Sequence, residues 1–336
     1  MLDRIYYGFY NAYPVVNKAL VRTHNLRDFR VVSRYLLDGV VTPLTKMDPA
    51  APSPQRALLG PTPQDGSPAT TTAPLQYQPL LYQAMTSVNW RAIVNDDLGI
   101  FKDLANRLAI AGNRGISKFI TQQYIDANGP HASLFTLGYH NIINLANGGA
   151  SNNPPLSVQG LQDAFKILAG MKDSGGDPIL VTGKPILFYG PSLVATAKNL
   201  INQLGAMVSV EGGTQNAQGF PTQFVQVSNW VVQDLGLVMD PYIPIVCTAG
   251  NKAQTTWGII IDPNAQERPA IEVGWLNGFG TPQIYQKVPN TQRLGGGIEP
   301  MMGDFYSMDQ DMKIVTVMGA AQIDGRSCVA SNGSGQ

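Results

Sequence analysis

The sequence predicts an α+β protein with extended parts at its N-terminal end. Three observations predict it: one long amphipathic helix pattern from Trp90 to Ile125, a proline-rich stretch from Asp48 to about Leu80 before it, and strand patterns crowded after Phe224. In the helix, Trp90, Ile93, Val94, Leu98, Phe101, Leu104, Ala105, Leu108, Phe119 and Ile120 recur at three-and-four spacing and share one stripe. Asn95 before Asp96 and Asp97 reads as an N-cap with anions in the first turn, and Arg107, Arg114 and Lys118 follow. That is the charge order a helix dipole favours. The helix should run roughly 25 to 30 residues, about 40 Å. Gly112 and Gly115 each cost about 1 kcal/mol in a helix interior, so they predict a bend or a close approach of another backbone.

Residues 1–46 open with Tyr6, Tyr7, Phe9, Tyr10 and Tyr13, then carry a modest basic excess (Arg22, Arg27, Arg30, Arg34) that reads as a solvated face. Pro14 interrupts the aromatic run, which makes this an arm with short helical pieces. From 48 to 80, Pro49, Pro52, Pro54, Pro61, Pro63, Pro68, Pro74 and Pro79 exclude helix and permit only edge strands. A turn at Gln64-Asp65-Gly66-Ser67, with Leu75, Tyr77 and Leu80 returning beyond it, makes this a projecting hairpin-like loop that feeds into the long helix.

After the helix, Asn128-Gly129-Pro130 and Asn147-Gly148-Gly149 are breakers. A second helix is predicted over 157–171, a buried strand over 186–189, and a third helix starting at Pro191. Strands follow at 224–237, 257–261, 270–275 and 314–323.

Composition narrows the function. Charged residues are 14% of the 336, against about 25% in an ordinary soluble domain. A surface so poor in charge is best explained by self-association. The net charge of +0 gives nucleic acid or an acidic membrane no general attraction. Two cysteines, Cys247 and Cys328, are too few for a disulfide framework. With no apolar run of about 18 residues and no apolar signal region, neither a membrane helix nor a signal peptide is expected.

The catalytic inventory is nearly empty. Gly190-Pro191-Ser192-Leu193-Val194 begins like a nucleophile elbow but has Val194 where that turn requires Gly. His24, His131 and His140 are not at metal-ligand spacing, Gly295-Gly296-Gly297 lacks the Lys of a phosphate loop, and Asp309 and Asp311 lack the rest of a calcium loop. No enzyme activity, cofactor or metal is expected; the alternative from another class is an α/β hydrolase using Ser192.

The ordered set of segments resembles the major capsid proteins of tailed double-stranded DNA phages, most nearly the Mu-type major head subunits. The segments that carry the resemblance are 90–99 (Trp90 to Gly99), 193–200, Met239-Asp240-Pro241-Tyr242, 257–263 and 269–278. The resemblance implies an arm at 1–46, an extended loop at 47–86, a peripheral domain at 87–155 and 300–330 with the long spine helix, an axial domain of mixed α/β structure at 156–299, and a flexible C-terminus at 331–336. It implies hexamers and pentamers of an icosahedral shell around double-stranded DNA, bound without sequence specificity, assembled in the host cytoplasm, with no membrane partner. The resemblance also implies a portal and a cement protein as partners; because the chain begins directly with the arm, a separate scaffolding protein is expected, or else a processed or assembly-competent short form. An encapsulin-like compartment shell is the alternative within the same fold.

A projecting arm and loop have few partners in their own chain, so Leu75, Tyr77, Leu80, Tyr6 and Tyr10 are the expected subunit contacts. Some capsids of this fold join a loop Lys to a neighbour's Asn. Here no Lys occurs between Lys46 and Lys102, so no cross-link through the loop is expected.

Overall fold

The computed structural model describes residues 7–8, 10–11, 15–34, 75–89, 91–92, 95, 100–172, 178–179, 183–202, 206–209, 224–227, 235–266, 268–291, 294–296 and 303–335. Most of the proline-rich loop, with its central turn, lies outside them, as does Tyr6. Two sheets carry the architecture. Their strands, in chain order, are β1 (Arg22–Leu26), β2 (Leu80–Asn89), β3 (Pro185–Tyr189), β4 (Gly236–Met239), β5 (Trp257–Ile261), β6 (Ile271–Leu276), β7 (Gln283–Gln286), β8 (Asp309–Gln322) and β9 (Cys328–Ser331). The longer helices are α1 (Ile100–Tyr124), α2 (Val158–Ala169) and α3 (Val194–Asn202). The chain forms two compact units, one of Met1–Ser33, Gln76–Gln123 and Ile271–Ala321, the other of Arg34–Leu75, Tyr124–Ala270 and Gln322–Gln336.

In the first unit, one sheet runs in the order β1-β6-β8-β7, and β2 also pairs with β8. β1 lies parallel to β6, with Arg22 opposite Glu272 and Leu26 opposite Leu276. β2 is antiparallel to β8 from Asn89 opposite Asp309 to Leu80 opposite Met318. α1 presents Leu104, Leu108 and Ala109 to Val88, Met312 and Ile314, and Tyr7 and Tyr10 pack against that cluster. Of the predicted stripe, Leu104, Leu108 and Ile120 are buried and Phe119 is half-buried, while Trp90, Ile93, Val94, Leu98, Phe101 and Ala105 lie outside the described side chains. The helix continues through both glycines. A side chain at Gly115 would meet nothing within 4 Å, so no close backbone approach explains this glycine. The described helix starts at Ile100, and Asn95 lies in a turn whose amide donates to Arg91 O at 3.0 Å.

The arm is tied down on this unit. Asn113 Nδ2 donates to Tyr10 O at 3.1 Å, and Asn17 Nδ2 donates to Ser117 O at 2.8 Å and Thr121 Oγ1 at 3.0 Å. Residues 113, 117 and 121 repeat every four and share one face of α1, so they form a polar stripe for the arm. Together with β1, this gives the described residues of the 1–46 arm a strand and a strap on the first unit.

In the second unit the order is β4-β3-β5-β9, with β4 parallel to β3 and β5 antiparallel to both β3 and β9. β5 is buried along its whole length. Trp257 at its start donates from Nε1 to Pro154 O at 3.0 Å. Leu161 and Leu168 of α2 and Ala197 and Leu200 of α3 share one core with Leu187, Trp257, Ile259 and Val329. Ser157 caps α2, its Oγ accepting from Gly160 N at 3.1 Å. Tyr124 Oη donates to the buried carboxylate of Asp240, which also accepts from Tyr242 N at 2.8 Å.

Three expected boundaries move. Residues 271–291 join the unit of α1, because β6 and β7 are hydrogen-bonded into its sheet. The predicted strand over 224–237 is two elements, Phe224–Val227 paired with Ala206–Ser209, and β4 paired with β3. The segment expected to be a flexible end, 331–336, is hydrogen-bonded to the second unit's own residues as far as Gly335. β9 is fully buried, Thr255 Oγ1 donates to Asn332 O at 2.7 Å, and Gly335 N donates to Asn153 O at 2.9 Å.

Candidate assembly surfaces

Ser192 is exposed in a 3-10 turn at Pro191–Leu193, and Gly190 before it has φ −78 and ψ 166, ordinary extended backbone. Among the described residues its hydroxyl has no histidine partner. His131 Nδ1 accepts from Ser133 N at 3.2 Å, and His140 Nδ1 lies 3.0 Å from Asn147 Oδ1. Cys247 and Cys328 are both buried and free. Burial raises the Cys328 thiol far above the usual range, Asp324 adds to that, and a hydrogen bond from Asn141 opposes it, so the sulfur is a packing group. Among the described residues no group of His, Cys, Asp or Glu could hold a metal ion, and no helix is long and apolar enough to cross a membrane.

The residues expected to meet neighbouring subunits separate into different environments. Tyr77 is only 6% exposed, and its hydroxyl donates to Glu272 Oε1 at 2.7 Å. Its own chain buries it, which corrects the expectation of a free contact residue. Gly274 is the reason: a Cβ there would lie 2.8 Å from the Tyr77 ring. Tyr10 is half-buried on the α1 cluster, Leu75 is half-buried, and Leu80 is 55% exposed.

The strand registers reveal a surface that the residue patterns did not. Met85, Lys313 and Tyr285 lie side by side across β2, β8 and β7, with Lys313 Nζ 5.9 Å from the centre of the Tyr285 ring. Two residues along, Ser87 Oγ donates to Asp311 Oδ1 at 2.7 Å and Lys287 Nζ lies 3.3 Å from Asp311 Oδ2. Asn89 Nδ2 then donates to Asp309 Oδ1 at 2.7 Å. Alternation along strands puts these rows on one face of the sheet. Met85, at 70% exposure, is its apolar end.

Beyond Asp309 this face ends in the turn 304–308, where Phe305 and Tyr306 stand 66% and 91% exposed. Their rings meet edge to face at 5.3 Å. Lys287 Nζ is 3.0 Å from Asp304 Oδ1 at the base of the turn. The two groups shift each other: hydrogen bonding to Asp304 and Asp311 raises the Lys287 ammonium, and Lys287 lowers the Asp304 carboxyl, helped by Tyr306 N. Two adjacent aromatics between Asp304 and Ser307 were the signal available in the sequence.

A family model described as phage capsid protein matches residues 72–331. The chain belongs to the phage capsid protein family. It is thus a virion component, the major capsid protein type of phage heads, whose role is structural and which forms a shell with its own copies. No curated protein matches the capsid chain in sequence. Among solved structures, it is similar in fold to the SrpI encapsulin of Synechococcus elongatus PCC 7942, at 9% identity and a TM-score of 0.52, covering 95% of this chain and 88% of that one. The capsid of a native GTA particle is similar at 10% identity and a TM-score of 0.51, covering 94% and 89%. The Microbacterium phage Oxtober96 structure matches at 11% identity and a TM-score of 0.44, covering 93% and 89%. The family match and the first two of these structures show the α+β capsid fold for this protein.

Proposed function

We propose that this capsid protein builds hexamers and pentamers of an icosahedral shell that encloses packaged double-stranded DNA, assembled in the host cytoplasm. The family match over residues 72–331 carries the reading. The chain's chemistry supports it. With 14% charged residues and +0 net charge, copies pack without self-repulsion, and DNA is confined by the wall without being bound in a particular sequence. A separate scaffolding protein, a portal and a cement protein are the partners this reading calls for. Leu80, exposed on β2, is among the groups we assign to contacts between copies, together with Leu75, Tyr6 and Tyr10.

Electron microscopy of the purified full chain tests the reading. Closed shells of phage-head size are the expected outcome. Small shells filled with cargo enzyme would favour the compartment reading. A monomer with esterase activity that disappears in Ser192→Ala would overturn both.

A further inference from the structure

We propose that the Phe305–Tyr306 turn is a preformed anchor that inserts into a second copy of this chain, an inference that rests on the shell-forming reading. Two adjacent aromatic rings held in water are unfavourable, and each can bury on the order of 150 to 250 Å² in a contact. The turn nonetheless holds them there through a dense set of bonds. Asn290 Nδ2 donates to Asp304 Oδ1 at 2.9 Å, while Asn290 Oδ1 accepts from Phe305 N at 2.7 Å. Met308 N donates to Asp304 O at 2.7 Å, and Asp304 N donates to Asp309 O at 3.0 Å. Gly303 has φ +64, and a Cβ there would sit 2.4 Å from Asp309 O, so only glycine fits. Met308 adopts φ 53, an uncommon conformation for its type. A turn built this way loses little further freedom on docking, which is the property of an interface anchor.

The surroundings select the partner. Asp304, Asp309 and Asp311 each accept bonds from Asn290, Asn89, Ser87 or Lys287, so the rim around the rings is hydrogen-bonded and, with these three carboxylates against the one Lys287 ammonium, net acidic. Such a rim repels the phosphates of a nucleic acid. The chain belongs to a family that forms a shell with its own copies, so a neighbouring copy is the surface at hand to cover two exposed aromatic rings.

The test uses the full chain in two forms. The Phe305→Ser/Tyr306→Ser variant should keep the wild-type circular dichroism and thermal midpoint but need about tenfold more protein for half-assembly. In wild-type-like shells carrying Tyr306→p-benzoylphenylalanine, irradiation should give a band at twice 36.2 kDa on a denaturing gel. Normal assembly of the double variant, or irradiated shells without that band, overturns the anchor and leaves the shell reading standing. Failure of the unmodified chain to form shells overturns the shell reading itself, and the anchor with it.

Discussion

The Tyr77 hydroxyl donates to Glu272 Oε1 at 2.7 Å between two buried side chains that lie 195 residues apart in the chain. This bond joins the segment leaving the proline-rich loop to β6. Hydrogen bonds to charged groups contribute about 1.5 to 3 kcal/mol. Tyr77→Phe should lower stability by about that amount in urea unfolding of the unassembled chain, and an unchanged midpoint would show that the bond is dispensable.

Gly258 lies in β5 where an added Cβ would be 2.5 Å from Phe188 Cζ and 2.7 Å from Val329 O. One of these is backbone, so the neighbours cannot simply turn aside. Gly258→Ala should cost about 1 to 3 kcal/mol, whereas Gly115→Ala, with nothing within 4 Å, should stabilise α1 by about 1 kcal/mol. Thermal melts of the pair should move in opposite directions.

Asn17 connects the strap to α1 through two bonds, to Ser117 O and Thr121 Oγ1. Asn17→Ala should loosen residues 15–20 while leaving the helix in place. Hydrogen exchange at Lys18 and Val21, whose amides close turns in this segment, should accelerate about tenfold, as a loss near 1.4 kcal/mol requires. Unchanged exchange would mean that packing alone holds the strap.

The base of the aromatic turn should respond to pH at both extremes. Asp304 is lowered by Lys287, so its contribution is complete above the ordinary carboxylate range and fades as pH falls through the lowered value. Lys287 is raised by Asp304 and Asp311, so its contribution is complete below the ordinary ammonium range and fades as pH rises through the raised value. The Phe305 and Tyr306 amide signals of the unassembled chain should hold steady between about pH 5 and pH 10, and drift beyond those limits. Drift near neutrality would contradict the pairing.

With no Lys between Lys46 and Lys102, the loop carries no amine for a covalent link to a neighbour, and a guanidinium cannot replace it. Shells boiled in denaturant should run as one band near 36.2 kDa. A ladder of larger species that survives reducing agent would refute this.

What the sequence determined by itself was whatever local periodicity and capping encode. The helical spacing of Leu104 and Leu108 in α1, the helix beginning after Ser157 and the strand Trp257–Ile261 are each legible from residues within a few positions of one another. Tertiary structure alone decided the rest. Arg22–Leu26 is mostly exposed and reads as solvated arm, yet it is a strand because β6 offers it a parallel edge about 250 residues away. Tyr77 became core only because Gly274 leaves room for its ring, and β9 became a buried strand only because β5 has a free edge for it. The surface from Met85 to Tyr306 exists only once β2, β8 and β7 are in register. Pairing between distant strands leaves no local period in the chain, so it is settled by which edges and volumes the folded units make available.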